Sequence, residues 1–458
     1  MSMTKQHIQH LYWRAGFGLS PLQLKKKSGQ KKSEILNELF SESKTAIPLE
    51  LNLSEINRFK KIPKSGTEER KRYNDLNTTK IKEFNYVWVY RLAGSNQMLR
   101  EKMTLFWANH FVCRDINIKS AQQFNNTLRR FALGNFGDFL KAISRENTMI
   151  RYLNLSSNNK KKPNENFARE LMELFTLGVG NYTEKDIKEA ARAFTGYKSN
   201  FNAEFVLNEK QHDFEEKEFL GKKGTFNGDD VLDIILNQKE CAIFICTKIY
   251  RYFVNEIVNE AHVNAMSEVF YKDYSIKNLM RFMFTSNWFY NEENIGTKIK
   301  SPIELIVGMH KVIPLRFYKI QELLKIQDVL DQKLLYPPNV AGWKGGRNWI
   351  NTNSMLVRVK LPSMILEKES YTIKPKGNFT QNFKFEYVKN KFQDKLDVSV
   401  DWKSYRKQVK KVKPNELLLA LILCEITPST QNYLRSLGKI TKKQNLSKIM
   451  ALPEYQMC

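Results

Sequence analysis

Apolar residues in this chain recur mainly at helical spacing, and strict alternation with polar residues is rare. In the first stretch, Ile8, Leu11 and Tyr12 fall on one face, because residues three or four apart lie side by side on a helix. Residues 201–207 (FNAEFVL) alternate instead, and a turn and the segment KEFLG follow them. The pattern therefore predicts a mainly α-helical fold with a small β-hairpin near residues 201–220.

Composition divides the chain into three predicted parts. Residues 1–369 form a large multi-helix main domain. Residues 370–413 form a lysine-rich, basic insertion, in which FKFEYV indicates a small strand element near residues 378–390. Residues 414–458 hold C-terminal helices, which we expect to pack back on the main domain.

The segment NENFARELMELFTLG (residues 164–178) predicts a helix with fully separated faces. At about 100° per residue, Glu165, Arg169 and Glu173 form one column, and Glu170 lies beside it. In one interpretation this is a solvated face whose i, i+4 ion pairs contribute only about 0.2–0.5 kcal/mol each. In the other, the carboxylates line a cleft, where crowding raises one pKa for acid–base chemistry.

Histidines provide further candidate chemistry in three places. His110 lies in the apolar run FWANHF, where a histidine is either a hydrogen-bonded core residue or a buried base or metal ligand. No HExxH spacing accompanies it, so a metal site would need distant partners. His212 and Asp213 share a predicted turn, while His10 and Arg14 line one side of the first helix.

The loop PPNVAGWKGGRNW combines rigid prolines, flexible glycines and two tryptophans, Trp343 and Trp349. Together with Asn339, such residues suit a loop that faces a ligand. The alternative is that both tryptophans fill the core and the glycines only provide turns. The sequence leaves both possibilities open.

The net charge is +26, from 74 Lys and Arg against 48 Asp and Glu, which favours anionic partners. The lysines are scattered, however, which is also typical of a solvated surface. Five cysteines without a CxxC pair predict reduced thiols. No signal peptide or transmembrane run is visible, so we expect a cytoplasmic protein, with export left open.

Several segments together resemble the family known as domain of unknown function 1800. They are HLYWRAGFG, FWANHF, NENFARELMELFTLGVGNYTEKDIKEAARAFTGY, HDFEEKEFLG, SPIEL and LYPPNVAGWKGGRNWINTN. The resemblance implies a bacterial, mostly helical protein and supplies no established activity. It also implies a neighbouring sulfatase-like protein as a possible partner and, for many relatives, export.

Two hypotheses for the function follow. The first is a hydrolase-like enzyme with a Glu/Arg/His-lined cleft between helices, whose acid–base residues are Glu165, Glu170, Glu173, His110 and His212. Its ligand-binding residues are His10, Arg14, Arg169, Asp213, Asn339, Trp343 and Trp349. A metal held by His110, His212 and a glutamate is a special case of this hypothesis, and no cofactor is indicated. The second hypothesis is a non-catalytic, basic helical protein that binds an anionic polymer or a protein partner.

Overall fold

The computed structural model describes residues 3–370, 395–410, 412–438 and 440–458. The strand element predicted near residues 378–390 lies outside the described residues. The described part of the basic insertion contains one short strand and one helix.

Helices dominate the described residues, and 22 of them are α-helices. They are α1 Lys5–Arg14, α2 Pro21–Lys27, α3 Lys32–Glu42, α4 Ser54–Asn57, α5 Glu68–Gly94, α6 Met98–Ala108, α7 Ile118–Phe131, α8 Phe136–Ser144, α9 Asn147–Tyr152, α10 Asn166–Glu170, α11 Glu184–Ala193, α12 Gly228–Leu236, α13 Lys239–Phe253, α14 Glu260–Tyr271, α15 Ile276–Thr285, α16 Pro302–Val312, α17 Ile320–Val329, α18 Thr352–Leu366, α19 Trp402–Val409, α20 Pro414–Leu421, α21 Pro428–Ser436 and α22 Lys442–Met450. A π-helix, Leu171–Thr176, directly continues α10.

Three small antiparallel sheets of two strands each complete the described secondary structure. Their strand pairs are β1 Tyr197–Ser199 with β2 Phe205–Leu207, β3 Lys217–Phe219 with β4 Lys222–Gly224, and β5 Leu315–Phe317 with β6 Val398–Val400. The prediction of a mainly α fold with small hairpins is confirmed. The alternating residues 201–207 supply only β2, because the chain turns at Ala203, whose φ is +68°.

Two large hydrophobic clusters form the core. The first surrounds Trp107 and joins α1–α3 to α6–α15, with the π-helix inside it. The second surrounds Trp88 and joins α5 to α16–α18 and to the C-terminal helices. No helix among the described residues combines the length and the apolar character needed to cross a bilayer.

The C-terminal helices pack against the first two helices of the chain and against α18. Helix α20 packs on α1 and α2, and α22 packs on α18. Gln9, in α1, donates a buried side-chain hydrogen bond to the carbonyl of Ala420 in α20 at 2.6 Å. Strand β6 pairs with β5, so the end of the basic insertion is also tied to the helical body.

Candidate functional site

The amphipathic segment of residues 164–178 folds as α10 followed by the π-helix. Its apolar face is buried as the helical wheel predicts, with Phe167, Leu171 and Met172 at most 2% exposed. The peptide N–H groups of Leu177 and Gly178 both donate to the carbonyl of Met172, so the last turn is wider than an α-turn. Gly178 ends it with φ +77°, a left-handed conformation that glycine adopts readily at the end of a helix.

The polar face of this segment meets the beginning of α11. Arg169 donates to Glu184 at 2.8 Å and to Glu165 at 3.2 Å, with 37% of its side chain exposed. The Tyr182 hydroxyl lies 3.5 Å from Glu173. Burial, and then the neighbouring Glu173, raise the pKa of Glu170. This face is therefore a half-exposed network of charges that bridges two consecutive helices.

The carbonyl end of the π-helix makes the contact that the wheel did not predict. His110 Nε2 lies 3.1 Å from the carbonyl of Phe175, and Lys248 Nζ donates to the carbonyl of Leu174 at 2.6 Å. Because a carbonyl only accepts, Nε2 carries the imidazole proton and Nδ1 is the free acceptor. Lys248 Nζ lies 3.4 Å from that Nδ1. The lysine thus joins the π-helix to His110.

Burial shapes the protonation of this pair. The pKa of His110 is held well below its ordinary value, first by burial and then by the charge of Lys248. Burial also lowers the pKa of Lys248 to about 8. At neutral pH His110 is therefore neutral and Lys248 is protonated, with one more N–H to donate.

His110 and Lys248 line a pocket of about 420 Å³, which we call the cationic pocket. Its other lining residues are Phe106, Asn109, Arg251, Tyr252, Glu256, Lys298, Ala341, Gly345 and Gly346. Lys248, Arg251 and Lys298 contribute three positive charges, and Glu256 contributes one negative charge, so these residues carry a formal charge of +2. Such a lining attracts anions.

Lys298 connects the cationic pocket to a buried charge cluster behind it. Its Nζ lies 3.7 Å from Glu256, and its pKa falls to about 8, first because of burial and then because of Arg14. Arg14 itself is buried and donates to the carbonyl of Asn294 at 2.9 Å. Arg14 thus acts on the pocket through its charge and does not line it.

Residues 335–349, which we call the tryptophan loop, form one wall of the cationic pocket. Gly342 has φ +74°, and a Cβ there would overlap Asn109 Oδ1, so this position requires glycine. A Cβ on Gly346 would overlap the carboxylate of Glu256. The loop backbone therefore packs directly against α6 and against the residues after α13.

The tryptophan loop also lines a second pocket, of about 490 Å³, which we call the tryptophan pocket. Its lining includes Asp328, Asp331, Lys333, Tyr336, Asn339, Trp343, Lys344, Asn348 and Trp349. Trp343 and Trp349 are each only 7% exposed, so they are largely buried while still reaching the pocket. Ala341 lines both pockets, which makes them neighbours.

The other predicted histidines lie elsewhere. His212 is buried, and its Nδ1 lies 2.7 Å from the carbonyl of Thr195. Asp213 accepts from Arg192 at 2.8 Å, which fastens the turn to α11. His10 Nε2 lies 3.1 Å from the carbonyl of Phe289. Among the described residues, no three His, Cys, Asp or Glu side chains are placed to hold a metal ion.

Only some of the site residues predicted from the sequence lie at the cationic pocket. The cationic pocket brings together His110 and the tryptophan loop, with Arg14 behind it, but none of the three predicted glutamates. Sequence reasoning missed Lys248, Arg251 and Lys298. The sequence signal for these residues was weak. Lys248 and Arg251 interrupt the apolar run of α13, and Lys298 lies in TKIK, just before SPIEL.

A sequence model of the family described as "Protein of unknown function (DUF1800)" matches residues 10–457. No curated protein and no solved structure matches the chain. The family description carries no activity, so a function has to be inferred from the pockets themselves.

Proposed function

This chain belongs to the family of proteins of unknown function DUF1800, and we propose that it binds an anionic group, such as a phosphate, sulfate or carboxylate, in the cationic pocket. The observation that carries this proposal is the lining: three cations, Lys248, Arg251 and Lys298, share the pocket with one carboxylate, Glu256. Burial strengthens the attraction, because a partly desolvated cation interacts more strongly with an anion than one in bulk water.

Binding of small inorganic anions tests this proposal. We expect saturable binding of phosphate and of sulfate at pH 7, measured by isothermal titration calorimetry. Replacing Lys248 by Met removes a charge-assisted hydrogen bond and should weaken binding about tenfold or more. Arg251→Met, at an exposed position, should also weaken it.

Lys277→Met serves as the matched control, because Lys277 is an exposed lysine on α15 outside the pocket. Circular dichroism and thermal melting show whether each variant folds. Absence of saturable binding, or binding that survives both pocket variants unchanged, would contradict the proposal.

A second candidate function, hydrolase-like chemistry, is supported by the combination of Lys248 and Glu256 in this pocket. A lysine whose pKa is about 8 is a suitable proton donor near neutral pH. In this scheme Glu256 takes a proton from water, the water oxygen attacks the phosphorus of a bound ester, and the ester P–O bond breaks. Lys248 then protonates the leaving oxygen, and His110 orients Lys248.

Phenyl phosphate and p-nitrophenyl phosphate distinguish this candidate from binding alone. The phenolate of phenyl phosphate is the poorer leaving group, so its hydrolysis should depend more on proton donation. We expect Lys248→Met to slow phenyl phosphate hydrolysis about a hundredfold or more. No turnover, or equal effects on both esters, would leave binding as the function. The cytoplasmic location expected from the missing signal peptide, with export left open, and the sulfatase-like partner implied by the resemblance both stay predictions.

A further inference from the structure

We propose that the tryptophan pocket binds a sugar ring whose anionic substituent occupies the cationic pocket. The ligand class is therefore a phosphorylated or sulfated sugar. This inference rests on the proposed anion binding and specifies what carries the anion. Its starting point is that Ala341 lines both pockets, which places them side by side at one point of the tryptophan loop.

Two exposed asparagines in the tryptophan pocket are held by the loop backbone at one end only. Asn339 Oδ1 accepts from the N–H of Ala341 at 3.0 Å, and Asn348 Nδ2 donates to the carbonyl of Gly345 at 2.9 Å. Among the described residues, Asn339 Nδ2 and Asn348 Oδ1 have no hydrogen-bond partner. One donor and one acceptor are thus held in place for a ligand that can both accept and donate, as a hydroxyl does.

Aromatic rings supply the second requirement of sugar binding. Trp343 and Trp349 line the same pocket, and the C–H faces of a sugar ring pack on aromatic surface. The indole N–H groups of Trp343 and Trp349 donate to no acceptor in the part of the chain that the structure describes. They are further donors for hydroxyl groups.

Charge distinguishes the two halves of the proposed site. In the tryptophan pocket, Asp328 and Asp331 balance Lys333 and Lys344, so the lining is formally neutral, whereas the cationic pocket carries +2. A neutral, hydroxyl-rich ring matches the first lining, and an anionic ester matches the second. A polymer with a negative charge on every unit would complement the cationic pocket but not the neutral tryptophan pocket.

Isothermal titration calorimetry with four small probes tests this inference on the whole chain. The probes are glucose 6-phosphate, glucose 6-sulfate, glucose and inorganic phosphate. We expect at least one sugar ester to bind about tenfold more tightly than glucose and inorganic phosphate, because both pockets contribute. The tighter ester identifies the preferred anion.

Variants assign the sugar contact to its pocket. Asn339→Ser keeps an oxygen that can accept from Ala341 but removes the amide, and Asn348→Ala removes the other side-chain contact. Each should weaken the sugar ester about threefold to tenfold and leave inorganic phosphate unaffected. Asn432→Ser, at an exposed position of α21, is the matched control.

The outcomes separate the two proposals. If inorganic phosphate binds in a manner that depends on Lys248, but neither ester binds more tightly, the sugar inference is wrong and the anion site stands. The same holds if Asn339→Ser and Asn348→Ala have no effect on the ester. If neither phosphate nor any ester binds, both proposals are wrong.

Discussion

Asn109 and Trp343 hold each other by two hydrogen bonds across 234 residues of sequence. The peptide N–H of Trp343 donates to Asn109 Oδ1 at 2.7 Å, and Asn109 Nδ2 donates to the carbonyl of Trp343 at 3.0 Å. Asn109 is the C-cap of α6 and immediately precedes His110. One side chain therefore fixes the tryptophan loop against the helix that presents the histidine.

Replacing Asn109 by Ala should detach the tryptophan loop. Two hydrogen bonds are lost and two half-buried backbone groups lose their partner, so we expect the free energy of unfolding to fall by about 1–3 kcal/mol. Urea denaturation measures the loss, and limited proteolysis should cut within residues 335–349. Asn202→Ala, in the turn between β1 and β2, is the control, and an equal loss there would contradict the role of Asn109.

Anion affinity should decrease as pH rises through about 8. Lys248 and Lys298 both have a pKa lowered to about 8, so they bind anions as cations below that pH and lose their charge above it. Sulfate is the suitable probe, because its charge stays constant over this range. Between pH 7 and pH 10 we expect about a tenfold or greater loss. Affinity that stays constant up to pH 10 would exclude both lysines from binding.

Stability without ligand should increase from mildly acidic pH to about pH 8–9. The pKa of His110 is lowered, and that of Lys300 falls to about 7, both first because of burial. Between the pKa of such a group in the folded chain and its higher pKa in the unfolded chain, the unfolded chain binds more protons. The free energy of unfolding therefore rises with pH over that interval. Above pH 9 the buried thiols oppose this rise, because burial raises the pKa of thiols such as Cys241, to about 12. Thermal melting between pH 5 and pH 10 checks this, and a maximum at or below pH 6 would contradict it.

Glu304 is the carboxylate that balances the buried cations behind the pocket. It pairs with Lys102, while Arg14, Lys300 and Arg358 lie nearby and are buried. Burial alone would raise the pKa of Glu304, but Lys102 and the N–H of Ser301 hold it below its ordinary value.

Glu304→Gln should cost about 3–5 kcal/mol, because it leaves buried cations without their partner. Urea denaturation measures the change in the free energy of unfolding. Glu83→Gln, which breaks the i, i+3 pair with Lys80 near the surface, is the control. If both variants lose the same amount, the buried cluster has no special dependence on Glu304.

Arg169→Ala should leave the melting temperature and sulfate affinity nearly unchanged. Its ion pairs with Glu165 and Glu184 are largely solvent-exposed, and exposed pairs contribute little to stability. Calorimetric titration of sulfate into this variant and into Lys248→Met compares the two faces of the segment directly. If Arg169→Ala loses as much sulfate affinity as Lys248→Met, the polar face with the predicted glutamates belongs to the binding site after all.

The sequence determined the features that depend on neighbours along the chain. The wheel of residues 164–178 separated the buried face from the polar face. Gly178 ends the segment, and Thr183 with Asp186 forms a capping box at the start of α11. The motifs also identified the family. These features rest on spacings of a few residues, so backbone geometry alone relates them.

Only the tertiary structure decided which groups form a pocket. His110 and Lys248 are 138 residues apart, and their contact depends on the packing of α6 and α13 around the π-helix. The π-helix itself was not predictable from the wheel, because one wider turn at the end of a helix leaves the apolar pattern nearly unchanged. That turn presents the carbonyls of Leu174 and Phe175 to a lysine and a histidine, and so places the candidate site at the end of the segment and away from its glutamates.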